Sequence, residues 1–129
     1  MKDIAREWLE DADYDIKSAD AMLQAGRYFY VVFMCHLAVE KILKAVWIEE
    51  KDEVSPKVHG LVYLYEKLSI KGRLPEIFVA LIDNLDDKNV ITRYPEGRKR
   101  IAERLDEKVS DEILKRTKET LAWVRKRLA

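Results

Sequence analysis

Apolar residues recur along this chain at helical rather than strand spacing. Placed at about 100° per residue, Ala5, Trp8, Leu9, Ala12, Ile16, Ala19 and Leu23 share one narrow arc, with Asp3, Glu10 and Lys17 opposite. This predicts an amphipathic helix over residues 3–25, closed by a left-handed residue at Gly26 that lets the chain turn back. From Tyr28 to Glu50 the sequence is apolar around most of a helical circumference, the pattern of a central helix packed on more than one side. Val54, Ser55, Pro56 and Lys57 break that pattern, and residues 59–68 then carry apolar positions at 61, 62, 64, 65 and 68, a short third helix. After Gly72, Pro75 suits the first turn of a fourth helix over 75–87, with Ile77, Phe78, Leu81, Ile82 and Leu85 as its stripe. Between Asp87 and Ser110 the periodicity is weak, and this reads as a long irregular segment containing Pro95 and Gly97, with a short helical piece over 97–105. Ser110 is expected to cap the last helix, 111–128, whose inner stripe is Ile113, Leu114, Thr117, Leu121, Val124 and Leu128. The expected fold is all-α: an up-and-down antiparallel bundle of four to five helices, with the irregular segment before the last one.

Composition narrows this further. A chain of 129 residues, 48% hydrophobic and 37% charged, has enough apolar material for one core, and no repeat or linker divides residues 1–129. Four glycines and three prolines are too few for a sandwich or barrel of many short strands. Twenty-four basic and twenty-four acidic residues cancel, which argues against a protein whose whole surface clings to nucleic acid or anionic lipid. The single Cys35 and two histidines cannot assemble a Cys/His zinc site, and no cofactor is expected. The longest apolar run, Tyr28 to Cys35, is far short of the ~20 residues that span a bilayer, so a cytoplasmic protein with no membrane partner is expected.

Candidate chemistry falls in two places. On the second helix His36, Glu40 and Lys44 follow at spacings of four, with Phe29, Phe33 and Trp47 in the same arc. This reads either as an ordinary Glu-to-Lys helix pair beside a packed histidine or as a pocket or subunit interface. Asp15, at the border of the first helix's apolar arc, must find a partner or keep to water, and a supporting role fits it. In the irregular segment Arg93, Arg98, Lys99, Arg100 and Arg104 gather positive charge beside Tyr94. Interleaved acids make Arg98 to Arg104 a solvated face, whereas Arg93, held by the restricted Tyr94-Pro95 backbone, is the better phosphate ligand. Phosphate-loop, dinucleotide, zinc-protease and nucleophile-elbow motifs are absent. Cys35 beside His36 is poor geometry for a nucleophile and base, since adjacent helix residues point about 100° apart.

Trp8-x3-Ala12-x2-Asp15-Ile16-x2-Ala19, Gly26-x-Tyr28, Ala38-Val39-Glu40-Lys41-x2-Lys44-Ala45, His59-Gly60-Leu61 and Arg93-Tyr94-Pro95-Glu96, in that order, resemble the HEPN domain (higher eukaryotes and prokaryotes nucleotide-binding) over nearly the whole chain. The resemblance implies a helical bundle, commonly dimeric, often encoded beside a minimal nucleotidyltransferase in a two-component system of toxin-antitoxin character, and proposed to bind nucleotides. Many members are metal-independent ribonucleases with an Arg-x4-6-His motif. This sequence departs there: Arg27 precedes His36 by eight intervening residues, and no histidine follows Arg93. The positions carried over are Asp15, Glu40, Lys44, His59, Arg93 and Tyr94. The resemblance therefore implies a non-catalytic homodimer that docks a minimal nucleotidyltransferase. Lys44, His59, Arg93 and Tyr94 face a nucleotide or phosphate in this reading, and Asp15, His36 and Glu40 act as supporting or interface residues. The alternative is a metal-independent RNase toxin with a degenerate site, in which His59 or His36 replaces the usual histidine and RNA is the partner.

Overall fold

A computed structural model describes residues 1–91 and 95–128, with the side chains at 89–91, 98 and 101 excepted. It is all-helical, with no strand among the described residues: α1 Asp3–Gln24, α2 Tyr28–Lys51, α3 Leu61–Glu66, α4 Glu76–Ile91, α5 Pro95–Arg104 and α6 Glu107–Leu128. None of these helices is long and apolar enough to cross a membrane. The all-α bundle is the architecture the hydrophobic spacing predicts.

The first turn follows from one residue. Gly26 has φ 73°, and around it the Gly26 N–H donates to the Leu23 carbonyl (3.1 Å) while the Arg27 N–H donates to Met22 (2.8 Å). These are the paired bonds of a Schellman cap, which an L side chain at the left-handed position would strain. The resulting α1–α2 hairpin is the most extensive helix pair in the molecule. Its seam is rich in small residues: Ala5, Ala12 and Ala19 repeat every seven residues on α1 and are wholly buried, interspersed with the buried Leu9 and Asp15. Arg125 to Asp13 (2.6 Å) and Lys118 to Asp20 (2.8 Å) tie α6 to the outer side of α1, half-exposed pairs that stabilise little.

α2 packs against every other helix. Ile42, Leu43, Val39 and Val31 are among its fully buried side chains, which accounts for the near absence of a polar face in its sequence. The helix ends at Asp52, whose left-handed backbone (φ 53°) still lets its N–H reach the Ile48 carbonyl at 3.0 Å. The chain then runs without helix until α3, which begins at Leu61 rather than at His59. The Asp86 carboxylate of α4 accepts the Leu61 N–H at 2.8 Å, so α4 fixes where α3 starts and leaves His59 in the preceding loop.

Later boundaries also differ from the sequence pattern. α4 continues to Ile91, and Pro95 to Arg104 form a ten-residue helix where a mostly irregular segment with a piece over 97–105 was expected. Pro95 stands at its first position, where the missing N–H is not needed. The last helix starts at Glu107, not 111: Asp106 is the cap, its Oδ1 accepting the Val109 N–H at 2.8 Å. Ser110 lies within the helix, its hydroxyl buried and without a hydrogen-bond partner among the described residues. Asp106 and Ser110 are both good capping residues, and the earlier one, followed directly by Glu107 in the first turn, wins.

This assignment has a direct consequence in urea unfolding. Asp106→Ala should lower stability by about 1 kcal/mol. Ser110→Ala, which removes an unpaired buried hydroxyl, should leave stability within about 0.5 kcal/mol or raise it. The reverse order would contradict the observed start of α6.

Candidate functional site

Glu40 sits in the middle of α2 and is only 6% exposed. A carboxylate so placed must be hydrogen-bonded and charge-compensated. One turn further along, Lys44 supplies both: its Nζ lies 3.1 Å from Glu40 Oε2. From the loop before α3, His59 Nδ1 approaches the same carboxylate at 3.2 Å (Oε2) and 3.3 Å (Oε1). One turn earlier on α2, the buried His36 places Nδ1 3.9 Å from Oε1. Three groups able to carry positive charge therefore surround one buried acid. His59 remains largely exposed, its side chain 66% accessible, so its ring is anchored at one nitrogen and open to solvent elsewhere.

Lys44 connects this cluster to a cleft. Its ammonium lies 5.4 Å from the centre of the Trp8 ring of α1, a cation–π contact in a poorly hydrated setting. Trp8 and Lys44 open onto a cavity of about 560 Å³ whose walls include Ile4, Ile48, Val54 and Pro56, with Lys2, Lys57, Asp52 and Glu53 at its edges. Val54 is 86% exposed and Ile4 50%, so the apolar lining faces outward. The N-terminal end of α1 is fastened at this mouth, where the Lys2 N–H donates to the Glu49 carboxylate and the Lys2 ammonium lies 3.5 Å from Asp52.

The structure thus brings together His36, Glu40, Lys44 and His59. Asp15 does not join them: it is buried and pairs with Lys41 Nζ at 2.8 Å, a separate link between α1 and α2. Arg93 and Tyr94 lie outside the described residues. The aromatic frame expected around the ladder does not close into one pocket, since Phe29 and Trp47 are about 27 Å apart along the helix axis. Phe29 packs edge-on to Tyr30 (centroids 5.3 Å apart), Phe33 is 38% exposed, and Trp47 is buried with its indole N–H donating to Glu53 at 3.3 Å. Trp8, which enters the sequence reading as part of a core stripe and of the family motif but not as a site residue, is the aromatic that meets Lys44. The signal that points to it is its size at the edge of an otherwise alanine-rich seam.

Cys35 is no candidate. It is fully buried, and burial pushes its thiol up to about 11, with a hydrogen bond involving Thr117 opposing the shift and the charges of Asp20 and Lys118 acting more weakly. Among the described residues no group of three His, Cys, Asp or Glu side chains is placed to hold a metal ion.

Known proteins resemble the chain in sequence and in structure. The profile of the family described as HEPN domain matches residues 5–127. The crystal structure of TT1696 from Thermus thermophilus superimposes with a TM-score of 0.81 at 25% sequence identity, covering 97% of this chain and 98% of that one. No protein of curated function matches the sequence.

Burial of Glu40, Lys44 and Cys35 has measurable consequences. Glu40→Leu or Lys44→Met alone strands a buried charge and should cost about 3 kcal/mol or more in urea unfolding, whereas the double substitution should recover at least about half of the summed loss. Strict additivity would show that the two side chains do not depend on each other. For Cys35, a thiol reagent at pH 8 should leave the native protein unmodified and label it once denatured. Stability should also fall as the pH rises from 9 toward 11, because only the unfolded thiol ionises there.

Proposed function

The chain belongs to the HEPN-domain family, and from that premise we propose that it is a binding module: a homodimer that docks a minimal nucleotidyltransferase in a toxin-antitoxin-like pair and takes a nucleotide beside Lys44 and His59. The observation that carries the nucleotide part is the meeting of an apolar, Trp8-walled cleft with a fixed cationic group. At about 560 Å³ the cleft has the size of small-molecule sites. Trp8, Ile48 and Pro56 suit the faces of a base, and the carboxylates of Asp52 and Glu53 can accept from its amino group. Lys2, Lys57 and Lys44 supply positive charge for phosphate, with His59 held beside Lys44 through Glu40. Arg93 and Tyr94 enter this proposal on the family resemblance alone. For dimerisation, the support is the outward-facing pair Tyr30 and Phe33 on α2, 44% and 38% exposed.

A second reading has one observation in its favour. Glu40 holds Nδ1 of an otherwise exposed His59, the arrangement by which a carboxylate orients a general base. In that reading the protein is an RNase that uses His59 without metal.

Thermal unfolding with a panel of nucleotides separates the possibilities. A ligand at about 100 times its dissociation constant adds about 2.7 kcal/mol, a rise of roughly 10 °C for a domain of this size. The rise should disappear in Trp8→Ala and His59→Ala. No rise with any nucleotide would remove the nucleotide from the proposal, and RNA cleavage in chelator that is lost in His59→Ala would replace the binding reading with the catalytic one. Light scattering at about the monomer mass of 15.2 kDa would remove the dimer.

A further inference from the structure

A second concave surface shares no residue with the Trp8 cleft. α4 and α6 leave between them a groove of about 570 Å³. Its floor is apolar: Leu81 and Ile113 are buried beneath it, and Ile77, 48% exposed, stands in it as a large aliphatic side chain open to solvent. Its rim carries three cations, Lys88, Lys115 and Arg116, against one acid, Glu112. Those cations are incompletely neutralised. Lys88 donates to the Asn84 carbonyl oxygen, a neutral acceptor, and burial lowers its pKa, with Asp87 opposing and Arg104 adding to the shift. Lys115 makes no hydrogen bond or ion pair among the described residues. Arg116 is paired with Glu119 at 2.8 Å, but that pair is itself well exposed and therefore exchangeable.

We propose that the α4–α6 groove is a docking site for an acidic amphipathic helical segment of a partner protein. Such a segment seats aliphatic side chains, recurring every three to four residues, on Ile77, Leu81 and Ile113, and turns flanking carboxylates toward Lys88, Lys115 and Arg116. Charge complementarity selects this occupant. A basic segment would meet the three rim cations unfavourably. RNA fits less well than an acidic helix, because among the described residues no aromatic side chain lines the groove to stack a base, and an aliphatic floor offers nothing to a phosphate backbone. The inference rests on neither the nucleotide nor the dimer reading.

The test uses the intact protein and a fluorescein-labelled synthetic helical peptide of about four turns, with leucines along one face and glutamates on the flanks. Its counterpart carries lysines in place of the glutamates, and a single-stranded oligouridine is the third probe. By fluorescence anisotropy the acidic peptide should bind at least about tenfold tighter than the basic one, and its affinity should fall about tenfold between low and high salt as the rim charges are screened. Lys115→Glu should weaken binding about tenfold or more, and so should Ile77→Asp; both positions are on the surface, so thermal unfolding of the variants should stay close to that of the parent. Tyr14→Asp, on the exposed face of α1 and in neither cleft, should leave peptide affinity unchanged. Equal binding of acidic and basic peptides, indifference to Lys115→Glu, or oligouridine binding that depends on Lys115 and Ile77 would each overturn the proposal.

Discussion

Much of this molecule follows from burying one carboxylate. Glu40 lies within the helix that touches all the others, where an uncompensated charge is not tolerated. Lys44 is one turn away and answers the charge, but a carboxylate has two oxygens and several lone pairs, and His59 must come in from a loop to occupy more of them. That contact spans nineteen residues of sequence and fastens the stretch after α2 back onto its own helix. The loop cannot then lie flat. Val54 and Pro56 are left standing at the edge of a hollow whose far wall is Trp8, so the cleft is a consequence of how the acid is satisfied.

The alanine seam of α1 complements this. Ala5, Ala12 and Ala19 are wholly buried along α1, and Trp8, near its start, lies against the Lys44 ammonium. A lysine held between a carboxylate and an indole face has little rotational freedom. Between α4 and α6 there is no such seam, and Leu81 and Ile113 fill the space only at its floor. The two concave surfaces thus have separate settings: one beside a loop drawn in by a charge, the other between two helices, α4 and α6.

Local periodicity made most of the fold legible, because the stripes of α1, α4 and α6 are set by residues three and four apart. Gly26 was legible for the same reason, since only a local left-handed turn was needed. α5 was legible only in part, as the short piece over 97–105: its sequence is polar nearly all round, so no strong stripe announces its full length, and Pro95 reads equally as a turn residue. The start of α6 was misread because Ser110 is itself a competent cap, and Asp106, which the structure uses, was not read as one. In the site, the spacing of His36, Glu40 and Lys44 showed a ladder, and the pairing of Glu40 with Lys44 is the local interaction that spacing allows. The approach of His59 to Glu40 and of Trp8 to Lys44 is tertiary and has no local signature. The link from Asp15 to Lys41 likewise needed the helices to be docked before its partner was evident.

The proposed nucleotide site joins the acid cluster to the Trp8 cleft. Nuclear magnetic resonance reads it most directly, by following the His59 ring and the Trp8 indole N–H while a nucleoside triphosphate is added. Both signals should move along a single saturation curve while the Trp123 indole of α6 stays in place. His59 and Trp8 signals that remain still at saturating nucleotide, or a Trp123 signal that moves in their stead, would contradict it.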